Sequence, residues 1–378
     1  MMKALTYNIT LAFILFSIAP SLAVDDTKLT ESISRKFKVS TGVNVNINNK
    51  YGQVIINTWN TDSVVVNVQV TSYGKNYSDA KKTIDRVDFD FNQVSNFLTL
   101  NTVFDRSSGS FKELFNGIGD YSKSLLSKNK LTVDYEIFIP EKAALEIQNK
   151  FGDVYINRHS GPLRLEMSHG DLRSDDLRGN TRINLSFGKA YLKNIQDADL
   201  EIRAAELEIR KTANLNLTSS SSEINIGEAF SVKVDSRNDL INIGRVQVIQ
   251  GSGVFSKINL GEAESFIDLG LSYGELNAQQ VDSKFSKILI EGRSADIDLQ
   301  IDAQAVFKAQ FIAKDDGFSL DNRFDKFDRR QLSEKKGFSV VTGNYGNVTT
   351  LPSELTIKAQ GGTLSVHLSE VPISTKKP

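Results

Sequence analysis

A short apolar motif recurs at an almost constant spacing through the middle of the chain. Its copies begin at Val154, Leu172, Ala190, Leu207, Ile224, Ile241, Ile258, Leu276 and Ile288. The steps are 18, 18, 17, 17, 17, 17 and 18 residues, followed by a last step of 12. A fixed period of this length indicates a solenoid, in which each repeat forms one coil and successive coils stack.

Apolar and polar residues alternate within the repeats, which is the pattern of β-strands. A second alternating stretch, such as Leu215-Asn216-Leu217, follows the first within a repeat. About 17 residues therefore hold two short strands and two turns, and they are too few for two helices and a turn. We predict an all-β fold, a parallel β-helix or β-solenoid with 17–18 residues per coil, whose backbones pair about 4.8 Å apart.

Two columns of residues before the motif predict one corner of the coil. The column two residues earlier is small in eight of nine copies and reads Gly152, Gly170, Gly188, Ala205, Ser222, Asp239, Ser256, Gly274 and Ser286. Small residues suit a corner with tight backbone geometry and close approach of successive coils. The column before that reads Phe151, His169, Phe187, Ala204, Ser221, Asn238, Phe255, Tyr273 and Phe285. We expect it to stack along one edge, aromatic at both ends and small in the middle.

The same unit occurs far upstream, because residues 49–57 (NKYGQVIIN) match residues 149–157 (NKFGDVYIN). We predict one solenoid domain over residues 24–378. Its expected parts are a first coil at 43–70, an elaboration at 71–140, regular coils at 141–301 and a C-terminal cap at 302–378. The elaboration is expected to contain strands and a helix from Ser78 to Arg86, with Ser78 as N-cap. Irregular caps would protect the strand edges at both ends, and the charged segment 314–336 is expected to loop out.

Residues 1–23 have the pattern of a cleavable signal peptide. Lys3 supplies the positive charge, residues 11–19 the apolar stretch, and Ser21-Leu22-Ala23 the small residues at the cleavage site. No later segment is apolar enough to be transmembrane, and the chain has no cysteine for a disulfide or a lipid anchor. We therefore expect an exported protein, periplasmic or extracellular. The net charge of −1 comes without a basic stripe, which argues against nucleic-acid binding.

The leader, the two matching units and the coil motifs Ile224-Asn225-Ile226-Gly227, Ile241-Asn242-Ile243-Gly244 and Ile258-Asn259-Leu260-Gly261 carry a resemblance. Together they resemble the adhesin-like, or toast-rack, β-helix family of secreted bacterial proteins. The resemblance covers nearly all of the chain after the leader. It implies a β-helix fold and a place at the cell envelope or surface, with adhesion as the inferred role. It brings no catalytic motif.

Side chains that could hold a metal or carry out catalysis are sparse. The chain has three histidines, His159, His169 and His367, and His169 is expected to pack in the corner. Zinc sites use clustered His and Cys, so we predict no metal, no cofactor and no catalytic residues.

The column directly before the motif contains neighbouring acids, Asp153 with Asp171 and Glu206 with Glu223. Such pairs could bind a cation or act as acid and base in a carbohydrate-active β-helix. Lysines interrupt the column, and this mixture of signs favours a solvated face with partial charge compensation.

The next outward column contains the candidate ligand face. Its members are Asn225, Asn242, Asn259, Asn277, Tyr155 and Tyr191. Stacked asparagines can form an amide ladder that stabilises a solenoid. Amides and phenol rings also suit hydroxyl-rich ligands. The structural role is favoured, and the binding role stays open.

Together these observations favour a non-enzymatic, exported envelope or surface protein with an adhesin-like binding or scaffold role. An envelope glycan or a surface protein would be its partner. One alternative is a polysaccharide-active β-helix enzyme, which a deep groove with two or more acids beside Lys or Arg would favour. Another is an envelope-stress or signalling component.

Overall fold

The computed structural model describes residues 26–104, 131–347 and 352–370. All of the strands in these residues hydrogen-bond into one continuous sheet, which winds into a parallel β-solenoid of about nine turns. The predicted solenoid is therefore confirmed. The predicted signal peptide lies outside the described residues, as do residues 105–130 of the predicted elaboration.

Twenty-six strands, one α-helix and one 3-10 helix make up the described chain. The N-terminal part contains β1 (Thr27–Lys38), β2 (Asn44–Lys50), β3 (Val54–Trp59), β4 (Ser63–Gly74), α1 (Tyr77–Ile84), β5 (Val87–Val94), β6 (Phe97–Phe104) and β7 (Leu131–Pro140). The regular coils contain β8 (Ala144–Lys150), β9 (Val154–His159), β10 (Leu163–Ser168), β11 (Leu172–Leu177), β12 (Thr181–Ser186), β13 (Lys189–Arg203), β14 (Glu206–Ser220), β15 (Glu223–Arg237), β16 (Leu240–Val254) and β17 (Lys257–Ser272). The C-terminal part contains β18 (Glu275–Val281), β19 (Lys287–Arg293), β20 (Asp296–Ile301), β21 (Phe307–Lys314), β22 (Phe318–Leu320), the 3-10 helix (Asn322–Phe324), β23 (Asp328–Gln331), β24 (Phe338–Tyr345), β25 (Ser353–Gln360) and β26 (Leu364–Leu368).

Each coil contributes one strand segment to each of two faces. The first face contains β3, β9, β11, the first halves of β13–β17, β18 and β20. The second face contains β2, β8, β10, β12, the second halves of β13–β17 and β19. Alternate residues point inward from both faces, so that Leu207, Ile209, Leu215 and Leu217 are all buried in a shared core. This alternation is the pattern seen in the sequence.

The coil corner differs from the expected one in its detail. The positive φ values, between 46° and 66°, belong to the aromatic column and not to the small column after it. The small column is restricted by space, because a Cβ on Gly170 would lie 2.1 Å from the carbonyl oxygen of Gly152 in the preceding coil. Glycine occupies this column where the step is 18 residues, and Ala, Ser or Asp where the step is 17.

The predicted position of the last motif copy, at Ile288, is wrong. Ile288 lies on the second face, opposite Ile267, and the first-face partner of Leu276 is Ile297. This coil is longer than the others because residues 282–286 form an additional turn between β18 and β19.

Phe285, expected at the corner, is also misplaced by that motif. It is buried in the core, where its ring centroid lies 5.7 Å from that of Phe307. Ser294 takes the corner position of this coil instead, with φ of 49°.

The N-terminal end is covered by strands that leave the coil pattern. β6 pairs in parallel with β2 and β7 with β3, and β5, β4 and β1 continue the sheet in antiparallel order. Residues 63–70, assigned to the first coil from the sequence, therefore lie in antiparallel β4. The helix begins one residue earlier than expected, and its N-cap is Asn76, whose side chain accepts a hydrogen bond from the Asp79 N–H at 3.0 Å.

At the C-terminal end the chain turns back into the stack. β25 lies between β19 and β21, and β26 lies between β20 and β22. The charged segment 314–336, expected to loop out, contains β22, the 3-10 helix and β23. β23 pairs with β24, which pairs antiparallel with β21 and covers the last coil.

Candidate functional site

The six residues of the predicted ligand face lie in one row on the first face. The parallel register places one residue per coil, in the order Tyr155, Arg173, Tyr191, Glu208, Asn225, Asn242, Asn259 and Asn277. We call the four asparagines the amide row. Both tyrosines lie on the N-terminal side of the amide row, with Arg173 between them and Glu208 between Tyr191 and Asn225, so they do not flank the row on both sides.

The amide row forms the expected ladder over three of its coils. Asn242 donates from Nδ2 to Oδ1 of Asn225 at 2.9 Å, and Asn259 donates to Oδ1 of Asn242 at 2.8 Å. Each amide carries two N–H donors and an oxygen with two lone pairs. Half of the hydrogen-bonding capacity of Asn242 therefore stays available, and the half-buried side chain presents it to the surface.

The tyrosines add phenol groups to the same outward column. Tyr191 is 41% exposed. Tyr155 donates to Oδ2 of Asp153 at 3.2 Å. Burial and the Asp153 carboxylate raise the pKa of Tyr155, so its hydroxyl stays protonated and remains a hydrogen-bond donor at neutral pH.

The acidic pairs in the neighbouring column are used within the fold. Asp153 accepts from the Asp171 N–H at 2.8 Å, and Asp171 accepts from the Lys189 N–H at 3.1 Å. Glu206 pairs with Lys189 Nζ at 2.6 Å. Carboxylates that accept backbone hydrogen bonds or pair with lysine fit the charge-compensated face predicted from the mixed signs.

The histidines lie apart from one another in the fold. His159 is buried at the bend between the two faces, and burial lowers its pKa. His169 stacks between Phe151 and Phe187 with ring centroids 5.0 Å apart on both sides, which confirms its predicted corner packing. Across residues 26–104, 131–347 and 352–370, no group of three or more His, Cys, Asp or Glu side chains is arranged to hold a metal ion.

The corner column carries two aromatic ladders. The first is formed by Tyr51, Phe151, His169 and Phe187, stacked 5.0–5.5 Å apart. The second is formed by Phe255 and Tyr273 at 5.2 Å. Between them lie the corners of Ala204, Ser221 and Asn238. The predicted order, aromatic at both ends and small in the middle, is confirmed from Phe151 to Tyr273, and only its last member, Phe285, is wrong.

The second face contains a groove that was not predicted from the sequence. It has a volume of about 690 Å³. Its outward row contains Glu146, Arg164, Arg182, Asp199 and Asn216, one per coil. The row stands at a fixed offset in the second strand of each repeat, which is the sequence signal that could predict it.

Ion pairs and amides hold the acids of this groove. Arg182 pairs with Asp199 at 3.2 Å, and Asn216 donates to Asp199 at 2.7 Å. The Asn216 hydrogen bond, with a further contribution from Arg182, lowers the pKa of Asp199. Arg164 lies 3.8 Å from Glu146. The groove therefore presents fixed, ionised groups of both signs.

Comparisons with known proteins return structural likenesses at low identity. No family model matches the sequence, and no curated protein matches it. In the described part of the chain, no helix has the length and apolar character that a membrane crossing needs.

Two solved structures illustrate the likeness. A "putative adhesin" from Bacteroides fragilis is 13% identical, covers 71% of this chain and 96% of its own, and has a TM-score of 0.29. A "putative lipid binding protein" from Parabacteroides distasonis is 10% identical, covers 66% of this chain and 94% of its own, and has a TM-score of 0.32. The first of these names coincides with the family that the sequence resembles. At such TM-scores the likeness carries no argument about ligand or partner, which must come from this chain's own side chains.

Proposed function

We propose that this protein is a non-enzymatic, exported envelope or surface module that binds a hydroxyl-rich ligand through its first face. The amide row carries the proposal. Its amides point outward at a spacing of about 4.8 Å per coil, and Asn242 keeps unused donor and acceptor capacity while bonded to its neighbours. A rigid row of this kind can hydrogen-bond to an extended ligand with little loss of conformational entropy.

The phenol groups N-terminal to the amide row support the same class of ligand. Tyr191 offers an exposed ring together with a hydroxyl. Aromatic rings contact the apolar side of a sugar, while amides and hydroxyls bond its polar edge. An envelope glycan fits this combination best.

The second-face groove is the observation that favours an enzyme, because it brings acids beside arginines. Its chemistry argues against a glycosidase. A glycosidase needs one carboxyl group with a raised pKa to act as general acid, whereas the pKa of Asp199 is lowered. Glu146 and Asp199 are three coils apart, which is about 14 Å, and glycosidase carboxyl pairs lie within roughly 10 Å. Asp197, two residues before Asp199, also lines the groove. These two closer carboxylates each accept a hydrogen bond from an amide of the next coil, Asn214 and Asn216, at 2.7 Å.

The ligand proposal is tested on an array of bacterial envelope glycans, including peptidoglycan fragments and lipopolysaccharide. The test variant replaces Asn225, Asn242, Asn259 and Asn277 by Ser. The matched control replaces four amides of the second face, Asn180, Asn184, Asn214 and Asn216, by Ser. We expect the control to keep wild-type binding and the test variant to lose at least tenfold. A folded test variant that binds at wild-type strength, or a wild-type protein that binds no glycan, would overturn the proposal.

Export is tested separately by mass spectrometry of the protein from its native cells. Cleavage after Ala23 would give a chain that begins at Val24. Recovery of the protein with an intact Met1 would contradict export by a cleaved leader.

A further inference from the structure

The two aromatic ladders of the corner column end facing each other across a gap. Phe187 ends the first ladder and lies parallel to His169 at an interplanar angle of 4°. Phe255 ends the second ladder and lies at 16° to Tyr273. One face of each terminal ring is thus covered by its ladder, and the other face is directed into the gap. The two rings are four coils apart, which is about 19 Å.

These terminal ring faces are open to solvent. Phe187 is 55% exposed and Phe255 is 61% exposed. A ring stacked on a neighbouring ring is worth about 0.5–1.5 kcal/mol beyond its buried area. At each end of the gap, one ring face is therefore exposed and has no ring stacked on it.

The backbone does not impose this gap. Ala204, Ser221 and Asn238 have φ values of 46°, 52° and 57°, and the ring-bearing Phe187 and Phe255 have 56° and 54°. Aromatic side chains are thus accommodated at the same corner conformation. Three successive small or polar residues keep a space that rings could have filled.

The space is a groove of about 730 Å³ whose walls are both polar and apolar, with Leu240 beside the hydrogen-bonding side chains. Ser221 and Asn238 line its floor with a hydroxyl and an amide, which lie 3.4 Å apart. Glu206, paired with Lys189, and Glu223 line its side. An aromatic side chain of a protein partner would favour an apolar enclosure. An apolar end wall beside many hydrogen-bonding groups fits a ring that is apolar on its face and polar at its edge.

We propose that the gap binds a pyranose ring of a neutral sugar, which stacks on the open face of Phe187 in the place of the next ladder ring. Its hydroxyls would bond to Glu206, Ser221 and Asn238. The site differs from the amide row, which lies four residues further along each coil, as Ser221 and Asn225 illustrate. It does not depend on the proposed function of that row.

Saturation-transfer NMR tests this site with the methyl glycosides of glucose, galactose, mannose and N-acetylglucosamine. Saturating the protein's aromatic protons should transfer signal to at least one of these sugars. Phe187→Ala should weaken binding at least tenfold because it removes the platform. Ala204→Phe should also weaken it at least tenfold, because the added ring fills the site and extends the ladder. Phe230→Ala is the matched control, since Phe230 is an equally exposed phenylalanine outside the gap.

Three results would overturn the proposal. One is the absence of transfer to all four glycosides. Another is a folded Ala204→Phe variant that binds as the wild type does. If that variant fails to fold, unchanged binding by Phe187→Ala decides against the site. The amide-row variant should bind these glycosides normally, so failure of this inference is distinguishable from failure of the proposed function.

Discussion

Single residues at the coil corner decide how closely two coils can approach. A Cβ at Gly170 or Gly188 would lie 2.0–2.1 Å from a carbonyl oxygen of the preceding coil. We expect Gly170→Ala and Gly188→Ala each to lower the free energy of unfolding by about 1–3 kcal/mol, and larger residues by more.

Chemical denaturation of these corner variants measures the cost. Gly270→Ala is the control, because the nearest atom to its Cβ would be the Gly251 oxygen at 3.9 Å. If the corner variants and the control have the same denaturation midpoint, the coils do not approach each other closely at this corner.

His159 should make the stability of the fold depend on pH. It is 1% exposed, and its Nδ1 has no hydrogen-bond partner among the described residues. Burial lowers its pKa from the ordinary value of 6.5. The unfolded chain therefore binds this proton more readily, so stability present above pH 6.5 is lost as the pH falls below it.

The pH dependence is measured by denaturation midpoints at pH 7.5 and 5.5. His159→Leu should reduce the loss of stability between these values. His367→Gln, at an exposed histidine, should leave the loss unchanged. Equal pH dependence of the wild type and His159→Leu would show that His159 does not contribute.

At the scale of one element, the amide row should stabilise the first face. Asn242→Ala removes the hydrogen bonds to both Asn225 and Asn259. We expect a loss of about 1–2 kcal/mol. Asn277→Ala is the control, because no hydrogen bond from its side chain is found in the described residues. Equal melting temperatures of the two variants would show that the hydrogen bonds of the amide row do not stabilise the fold.

The C-terminal strands should hold the last coil in place. Deleting residues 353–378 removes β25 and β26, which separate β19 and β20 from β21 and β22. We expect the β21 amides that face β25 to lose their protection from hydrogen exchange, because their parallel partner is gone, whereas the amides that face β24 stay paired. Deleting only residues 371–378 is the control and should protect both sets. Unchanged protection of the amides that face β25 in the larger deletion would contradict this closing role.

The period in the sequence was sufficient to predict the strand type, the coil length and the corner column. The period did not place Ile288 on the correct face. Both strands of a coil have the same apolar alternation, so the sequence pattern does not distinguish a first-face strand from a second-face strand after an inserted turn. Phe285 was misassigned for the same reason. The strands of segment 314–336 were also not predicted. Most of the side chains in this segment are charged and point outward, and its strands pair with β24 and β26, which follow later in the sequence.

The candidate site was predictable only in part. The alignment predicted the row that contains Tyr155 and the asparagines, since one residue per coil points outward at a fixed offset. It could not reveal which hydrogen bonds the amides make with one another. The open faces of Phe187 and Phe255 depend on ring orientation, which is set by three-dimensional stacking.

At the scale of the whole molecule, both proposed sites depend on straight rows of side chains repeated at the coil spacing. The chain has no cysteine, so pairs of introduced cysteines can be spin-labelled without background. Glu166, Ser252 and Glu291 occupy one outward row of the second face, and Ser252 and Glu291 lie five and seven coils from Glu166.

Pulsed electron paramagnetic resonance between these labels measures the stacking most directly. The solenoid predicts backbone separations of about 24 Å for Glu166→Cys with Ser252→Cys and about 34 Å for Glu166→Cys with Glu291→Cys. Each pair should give a narrow distance distribution. Equal distances for the two pairs, or a second distance shorter than the first, would contradict the stacked coils and the binding rows built on them.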